Sequence, residues 1–344
     1  MKMQPMMPGL FDLEERYALL EKLGDPLPKL NRVVDWEAFR PLLARVYDKP
    51  RKNKAGRKPY DVVLMFKVLV IQHLYNLSDD QVEYQIRDRY SFCRFLGLKP
   101  EGRVPDAKTV WLFRERLKEL DLVDELFCAL MREIEAAGFV ARQGQIVDAS
   151  MVQAPRQRNS REENEAIKEG KMPEGWEDKP HQLRQKDRDA RWTKKHNKTF
   201  YGYKNHVSID RKHKLIRHFE VTDASVHDSQ VLDFLLDDTN TSADLWGDAA
   251  YRSKDREQEL AALGYRSHIH TKGQANRPLN ERQQVANRRR SKIRARVEHV
   301  FAGQAAMGGQ LVRTIGLDRA RVKIALNNMV YNLRRWTYLQ GITA

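Results

Sequence analysis

The sequence predicts an α/β (α+β) fold, in which a mixed sheet flanked by helices follows an all-helical N-terminal domain. The pattern changes at Gly138: before it apolar residues recur at helical spacing, and after it short β-type runs alternate with helical segments. We therefore predict two domains, residues 1–138 and 139–344. A charged segment at about 156–198 follows neither period, so we expect a basic, exposed insertion that is partly disordered.

Helical signals run through the first domain. An apolar stripe covers 36–47, a strongly apolar helix is predicted from Tyr60 to Tyr75, and residues 120–137 continue the pattern. Ser78 followed three residues later by Gln81 predicts a capping box, and Asp106 is a candidate N-cap. A plain bundle of short helices and a bundle containing a helix-turn-helix both fit these signals.

In the second domain, β-type runs and helical runs alternate. The predicted strands are GQIVDAS, YKNHVSID, KLIRHFEVT, ADLWGDAA and GYRSHIH, with a turn between the second and third near Asp210 to His213. The predicted helices cover residues 228–236, 253–263, about 279–302 and 318–338.

Charge favours a polyanionic partner. Lys and Arg total 62 against 47 acidic residues, a formal net charge of +15, and each phosphate neutralised releases counterions. Cys93 and Cys128 form no CxxC pair, which argues against a disulfide framework or a cysteine zinc site. The N-terminus lacks a signal-peptide pattern, and the run from Val62 to Tyr75 is too short to span a membrane. We expect a cytoplasmic protein without a membrane partner.

Three acidic residues stand out by their position. Asp148 and Asp248 end apolar β-type runs, and Glu298 lies at the margin of an apolar helix face. A carboxylate among apolar neighbours requires a positive partner, either an arginine or a metal ion. Two divalent ions held by carboxylates can activate water and stabilise the leaving oxygen in phosphodiester cleavage, and Mg²⁺ prefers such oxygen ligands. The set therefore indicates metal-dependent phosphodiester chemistry, although each residue alone is compatible with a structural role.

The helix that carries Glu298 is strongly basic. Seven basic residues and no acidic one lie between 282 and 296: Arg282, Arg288, Arg289, Arg290, Lys292, Arg294 and Arg296. Like charges four residues apart destabilise an isolated helix, so a phosphate backbone is a credible partner, with a solvated face as the alternative. Arg294 lies four residues before Glu298, on the same side. Its candidate roles are to position a phosphate, to orient the carboxylate or to form an ordinary salt bridge.

At these residues the chain resembles bacterial insertion-sequence transposases of the DDE class, in the IS-Five-type group. The segments from GRKPYDVV to VPDAKTVWLFRERL resemble the helical N-terminal domain of that group. The segments IVDAS, TFYGYKNHVSID, VTDASVHDSQ, LWGDAAY and RARVEHVFAGQ resemble its catalytic domain, in the same order. Five motifs in order make the resemblance specific, and it covers nearly the whole chain.

The resemblance implies a ribonuclease H-like fold, a homodimer associated with the nucleoid, and a DDE triad of Asp148, Asp248 and Glu298. The triad would bind two Mg²⁺ ions, which Mn²⁺ can replace. The helical domain would bind terminal inverted repeats in double-stranded DNA, and the catalytic domain would hydrolyse a strand at each end and join the 3′-hydroxyl to target DNA. A related signature, Tyr-x2-Arg-x3-Glu-x6-Lys, is kept only in part, since Ser291 and Ala305 replace its tyrosine and lysine.

Further DNA contacts are predicted from two basic segments. In YGYKNH, the residues Tyr201, Tyr203, Lys204 and His206 alternate along a strand, which could present cations and an aromatic ring to DNA. An edge strand with ordinary polar residues is the alternative. The basic link KPRKNKAGRKP contributes Arg57 and Lys58 as candidates. Asp228, in VHDSQ, is expected to cap the helix that it begins.

Two other classes of function compete with the transposase. The spacing His181-x-x-Arg184, with Tyr331 in a C-terminal helix, is compatible with a tyrosine recombinase, although HxxR arises easily in a basic chain. A non-catalytic DNA-binding regulator would need no divalent ion and would tolerate carboxamides at all three acidic sites. A metal-dependent nuclease without joining activity shares the chemistry of the transposase.

Overall fold

The computed structural model describes residues 12–48, 58–195, 197–273 and 277–343. They form two compact units, one built from the residues up to 122 together with those from 337 onward, and one from residues 123–336. No described helix is long and apolar enough to cross a membrane.

Every element in the described part of the first unit up to residue 121 is helical, as predicted. Two 3-10 turns, Trp36–Phe39 and Arg45–Tyr47, flank the third of its α-helices. The helices are α1 (Asp12–Lys22), α2 (Pro26–Val33), α3 (Arg40–Ala44), α4 (Val62–Leu74), α5 (Asp79–Asp88), α6 (Tyr90–Leu96) and α7 (Ala107–Glu119).

Both predicted caps of this unit are present. The Ser78 hydroxyl accepts from the backbone N–H of Gln81 at 3.1 Å, and the Gln81 amide oxygen accepts from the N–H of Ser78 at 3.0 Å. Asp106 begins α7 by accepting from the N–H of Thr109 at 2.7 Å. These bonds satisfy N–H groups that the first helical turn leaves without an intrahelical partner.

The second unit contains all six strands of the described chain and the remaining helices, except that the last of them, α15, continues from residue 337 into the first unit. Its strands are β1 (Gln145–Gln153), β2 (Arg191–Lys195), β3 (Lys198–Asp210), β4 (Ile216–Asp223), β5 (Asp244–Trp246) and β6 (Arg266–Ser267). Its helices are α8 (Leu122–Ala136), α9 (Arg161–Lys168), α10 (Pro180–Leu183), α11 (Leu232–Leu235), α12 (Lys254–Ala262), α13 (Glu281–Arg294), α14 (Arg296–Ala306) and α15 (Leu317–Thr343), and its 3-10 turns are Asp228–Val231 and Ala249–Tyr251.

The six strands form one mixed sheet. The strand order is β2-β3-β1-β5-β6, and β4 also pairs with β3. Strand β3 is antiparallel to β1, β2 and β4, whereas β1 and β5, and β5 and β6, are parallel. A helical region followed by a mixed sheet with flanking helices confirms the predicted fold class, and it agrees with a ribonuclease H-like fold.

The compact units divide before α8, whereas the sequence places a domain boundary at 138. Within the second unit, an ion pair between Asp124 and Arg321 at 2.8 Å joins α8 to α15. Its Phe127 ring packs against Phe219 of β4 with centroids 4.9 Å apart. In sequence, α8 continues the helical pattern of the first domain. In the structure, these long-range contacts hold it beside the sheet.

The segment 156–198 contains regular structure in its described residues, which corrects the expectation of partial disorder. It forms α9, α10 and β2, and its Asp187 is buried and accepts from the Tyr203 hydroxyl at 2.7 and 2.9 Å. Trp176 is also buried and donates to Glu163 at 2.8 Å. Contacts with residues distant in sequence stabilise this polar segment. Hydrophobic periodicity describes only neighbouring residues, so it could not predict these contacts.

The basic helix predicted at about 279–302 is two helices. The helical hydrogen-bond ladder of α13 ends when the N–H of Ala295 donates to Ser291, and the N–H of Glu298 donates only three residues back, to Ala295 at 3.2 Å. Three-residue bonds tighten the turn and change the direction of the chain. The expectation of one continuous helix through Arg294 and Glu298 is therefore wrong.

Candidate active site

Asp148 lies on β1, and Asp248 lies at the matching position just beyond the end of the neighbouring parallel strand β5. Strands β1 and β5 pair Gln145 with Leu245 and Ile146 with Trp246, and each aspartate lies two residues beyond the second pair. Parallel strands run about 4.8 Å apart and point the same way, so their continuations meet at the same edge of the sheet. The sheet topology therefore brings together two carboxylates that are far apart in sequence.

Burial controls the chemistry of Asp148. Its side chain is almost fully buried, one carboxylate oxygen accepts from the N–H of Ala149 at 2.8 Å, and the other is paired with Arg294. Burial raises the pKa of Asp148 to about 6, and the negative charge of Asp248 contributes in the same direction, although the Arg294 charge and the Ala149 N–H oppose it. The carboxyl group therefore changes charge close to neutral pH.

Asp248 begins the 3-10 turn Ala249–Tyr251. It is half-buried, and its Oδ1 accepts from the N–H of Ala250 at 2.5 Å. The preceding Gly247 is closely packed, because a Cβ there would lie 3.2 Å from the Val147 side chain and 3.4 Å from the Tyr251 ring. A larger residue at this position would require the Val147 side chain to shift slightly.

Glu298 is not brought into a group with the two aspartates. It lies on α14, which contacts β1, but its side chain is exposed while the adjacent Val297 is buried. Among the described residues no set of three or more His, Cys, Asp or Glu side chains is arranged to hold a metal ion. The assignment of Glu298 as the third ligand therefore stays a prediction.

Arg294, the last residue of α13, pairs with Asp148, and no hydrogen bond joins it to Glu298 in the described chain. Of the three roles that the sequence suggested for Arg294, the structure shows the salt bridge, and its partner is Asp148 of β1. Its guanidinium supplies the positive charge that a buried carboxylate requires.

The aspartate pair fits a divalent cation. Carboxylate oxygens are the ligands that small divalent ions prefer, and Asp148 is a buried carboxylate in contact with a single cationic side chain, Arg294. Asp248 keeps one carboxylate oxygen for which no hydrogen-bond partner is found in the described chain. These two residues would hold the ion.

The structure contradicts the predicted DNA-facing surface of β3, because this strand is paired with three others and the side chains of Tyr203, Lys204 and His206 are buried. The Tyr203 hydroxyl is held by Asp187. Lys204 is 7% exposed and binds Asp228 at 2.8 Å. His206 is fully buried and bonded to Thr222 at 2.9 Å, and burial lowers its pKa to about 4 despite the opposing charge of Asp228, so the ring is neutral at pH 7. None of the three can reach a phosphate in this arrangement.

Asp228 also differs from expectation. The N-cap of the turn Asp228–Val231 is His227, whose ring nitrogen accepts from the N–H of Ser229 at 3.3 Å. The Asp228 carboxylate instead forms an ion pair with Lys204 of β3. The residue predicted to cap its own helix therefore binds a distant strand.

Exposed cations line α13. Arg282, Arg288, Arg289 and Lys292 are exposed, and none forms an ion pair with another described residue. Arg290 differs, since it donates to the carbonyl of Ile269 at 2.9 Å. Of the two candidates in the basic link, Lys58 is exposed and Arg57 lies outside the described residues.

The structure does not support a tyrosine nucleophile. Tyr331 is buried, its hydroxyl donates to the carbonyl of Lys214 at 2.9 Å, and burial raises its pKa to about 12. His181 and Arg184 are exposed in and after α10. A buried phenol with a satisfied hydroxyl is not placed to attack DNA, so this alternative is set aside.

One site residue was missed from the sequence. Tyr251 is fully buried next to the aspartate pair, and its hydroxyl has no hydrogen-bond partner in the described part of the chain. The one sequence feature that could have identified Tyr251 is its position three residues after Asp248 in LWGDAAY. A tyrosine at such a position usually has only a packing role in the core.

Two families of known proteins match this chain. Residues 14–116 match the family described as transposase domain (DUF772), and residues 141–333 match the family described as transposase DDE domain. Among solved structures, the chain is similar to the cryo-EM structure of the piggyBac transposase synaptic complex with hairpin DNA, with a TM-score of 0.46 and 12% identity. That match covers 93% of this chain and 76% of the other.

Proposed function

Because the chain belongs to the transposase DDE domain family, whose match spans more than half of its length, we propose that it moves an insertion sequence by a two-metal-ion mechanism centred on Asp148 and Asp248. It is a DNA transposase, and its family uses divalent metal ions. In the proposed reaction it hydrolyses DNA at the transposon ends and joins each freed 3′-hydroxyl to target DNA. The IS-Five-type grouping stays a prediction.

The observation that carries the proposal is the matched placement of Asp148 on β1 and Asp248 just beyond the end of β5. Divalent ions bound there would supply the positive charge that lowers the pKa of an attacking water and stabilises the leaving oxygen. We propose Mg²⁺, which Mn²⁺ can replace, because the available donors are all oxygens.

The protein residues hold and orient the reacting groups. Asp148 and Asp248 would bind the ions, and Arg294 pairs with the carboxylate of Asp148. We keep Glu298 as the third carboxylate because it occupies the glutamate position of the RVEHVF motif and α14 contacts β1. Neither aspartate acts as a nucleophile, so no covalent protein–DNA intermediate forms.

DNA binding is assigned to the exposed cations. Arg288, Arg289 and Lys292 on α13 present positive charge without an internal partner among the described residues, and the chain carries a net charge of +15. We propose that the helical N-terminal unit, including the basic link with Lys58, recognises the terminal inverted repeats. Two ends must be joined in one event, so we also propose a homodimer, acting at the nucleoid in the cytoplasm.

The test is a cleavage and joining assay with labelled transposon ends and a target plasmid, with and without Mg²⁺. Wild type should cut and join only with the ion, and Asp148→Asn and Asp248→Asn should bind the ends but not cut them. Asp244→Asn is the matched control: Asp244 begins β5 but pairs with His268, at 2.9 Å, so this variant should cut. Cleavage by Asp148→Asn at the wild-type rate would contradict the proposal, and cutting without joining would indicate a nuclease.

A further inference from the structure

Tyr251 is a buried aromatic residue that packs between the residues preceding the two aspartates. It is 0% exposed and belongs to the same apolar cluster as Val147, and its ring lies against Gly247. Its backbone N–H donates to the carbonyl of Asp248 at 3.3 Å, closing the turn that Asp248 begins. Tyr251 is therefore packed against the chain segments that carry the two aspartates.

The hydroxyl of Tyr251 is exceptional among the buried tyrosines of this unit. The hydroxyls of Tyr201 and Tyr203 donate to Asp187, and that of Tyr331 donates to the carbonyl of Lys214. The Tyr251 hydroxyl is buried without any such partner among the described residues. A buried donor left unsatisfied destabilises the folded state, so this arrangement indicates that a partner is acquired in another state.

The surroundings of the hydroxyl are rich in acceptors. Burial raises the pKa of Tyr251 well above its usual value, and the charges of Asp228, Asp148 and Asp248 raise it further, with Arg294 opposing. The phenol therefore stays protonated and remains a donor. Three carboxylates act on it, yet none is bonded to it.

The occupied oxygens narrow the choice of acceptor. Both oxygens of Asp148 already have partners, Ala149 and Arg294, and one oxygen of Asp228 is bound by Lys204. Asp248 uses one oxygen to cap its own turn, and its second oxygen has no partner in the described chain. Of the carboxylates with an oxygen left over, Asp248 is the one joined to Tyr251 through the same short turn, which favours it as the acceptor.

We propose that Tyr251 is a positioning residue of the ion site, whose hydroxyl donates to the second carboxylate oxygen of Asp248 when a divalent ion binds and holds that side chain toward Asp148. This inference rests on the proposed function, because it presumes an ion at the aspartate pair. The hydrogen bond between the Tyr251 hydroxyl and Asp248 forms only in the ion-bound state. It therefore increases the affinity for the ion and does not stabilise the protein without the ion.

The test compares wild type with Tyr251→Phe, which removes one oxygen atom. The readouts are the thermal unfolding midpoint without divalent ions and the Mn²⁺ dissociation constant from electron paramagnetic resonance. Tyr251→Phe should have an unchanged or higher midpoint and about tenfold weaker Mn²⁺ binding, equivalent to about 1.4 kcal/mol. Tyr331→Phe is the matched control: it removes a satisfied buried hydroxyl, so its midpoint should fall while its Mn²⁺ affinity stays at the wild-type value.

Two results would overturn the role of Tyr251. One is wild-type Mn²⁺ affinity in Tyr251→Phe alongside abolished affinity in Asp148→Asn, which leaves the ion site intact. The other is a lower midpoint of Tyr251→Phe without ions, because the hydroxyl would then already be bonded. Absence of Mn²⁺ binding by wild type would overturn the ion site itself, and this inference with it.

Discussion

The guanidinium of Arg294 pairs with the carboxylate of Asp148, joining the end of α13 to β1. A buried carboxylate needs a compensating positive charge, and Arg294 provides one from within the chain. A divalent ion at the same carboxylate would add to this charge or displace it. The ion pair therefore links the protonation of Asp148, the position of α13 and ion binding.

Ion binding should depend on pH in the range where Asp148 titrates. The carboxylate binds a cation only when ionised, and burial raises its pKa to about 6. Mn²⁺ affinity should therefore rise with pH and level off above about 7, with a value at pH 5 about tenfold below the plateau, since each pH unit below the pKa lowers the ionised fraction about tenfold. Titrations monitored by electron paramagnetic resonance from pH 5 to 8 test this. A constant affinity across the range would contradict it.

Asp148→Asn should stabilise the protein without divalent ions. Because folding raises the pKa of Asp148, the carboxyl contributes stability below its usual pKa of 3.8, and this contribution is lost as pH rises through about 6. At pH 7.5 the asparagine variant should have a free energy of unfolding about 1–3 kcal/mol higher, and the gain should shrink near pH 4. Urea denaturation measures both values.

Asp237→Asn is the control, because its expected change in the free energy of unfolding has the opposite sign. Burial raises the pKa of Asp237, but hydrogen bonds from His218 and Thr239 and the charge of Arg217 outweigh it, so the net shift is downward. Its ionised form stabilises the fold above its usual pKa, and the asparagine variant should be less stable at pH 7.5. A stability loss in both variants would show that Asp148 behaves as a structural ion pair.

Arg294→Gln should shift the pH dependence of ion binding upward. The positive charge of Arg294 lowers the pKa of Asp148, so its removal leaves the effect of burial less opposed. The midpoint of the Mn²⁺ affinity profile should move to a higher pH than in wild type. Arg290→Gln is the control, because Arg290 donates to Ile269 and has no bond to Asp148. Equal midpoints for wild type and Arg294→Gln would exclude this coupling.

Removing the exposed cations of α13 should weaken DNA binding uniformly across sequences. The triple variant Arg288→Ala, Arg289→Ala and Lys292→Ala should lower the slope of log affinity against log salt by about 0.9 for each phosphate that the protein no longer neutralises. Filter binding at several salt concentrations measures the slope.

The charge-matched control for α13 removes three exposed cations on and after α9, Arg161, Lys168 and Lys171. It lowers the net charge by the same amount at a surface with acidic neighbours, and its salt slope should match that of wild type. Equal slopes for the two triple variants would show that only net charge matters.

Tyr203→Phe should lower stability and leave DNA affinity unchanged. The Tyr203 hydroxyl donates to the buried carboxylate of Asp187, which ties β3 to the 156–198 segment. Loss of a hydrogen bond to a charged group should lower the free energy of unfolding by about 1.5–3 kcal/mol. Denaturation and gel-shift measurements check the two parts, and weaker DNA binding at unchanged stability would restore the predicted DNA-facing role.

Local features of this chain were predictable because they depend on neighbouring residues. The capping box of Ser78 and Gln81 and the cap by Asp106 follow from side chains within reach of their own helix starts. The strand through Asp148 follows from an apolar β-type run. The net charge and the motif order led to the family, which the comparison confirms.

Features that depend on distant partners were predicted poorly. His206 and Lys204 look like a surface face in sequence, but β3 lies inside the sheet and its neighbours cover them. Asp187 lies in a segment without periodicity, and only its bond with Tyr203 shows why it is ordered. The break at Ala295 is equally invisible, since alanine favours helix.

By itself, the sequence determined the alternation of helices and strands and the basic character of the chain, because periodicity, caps and charge are properties of short segments. Tertiary structure alone decided which side chains lie together. Strand pairing aligns Asp148 with Asp248, and packing places Arg294 on Asp148 and leaves the Tyr251 hydroxyl without an acceptor in the described chain. These outcomes depend on contacts between residues far apart in sequence, for which a short segment contains no physical signal.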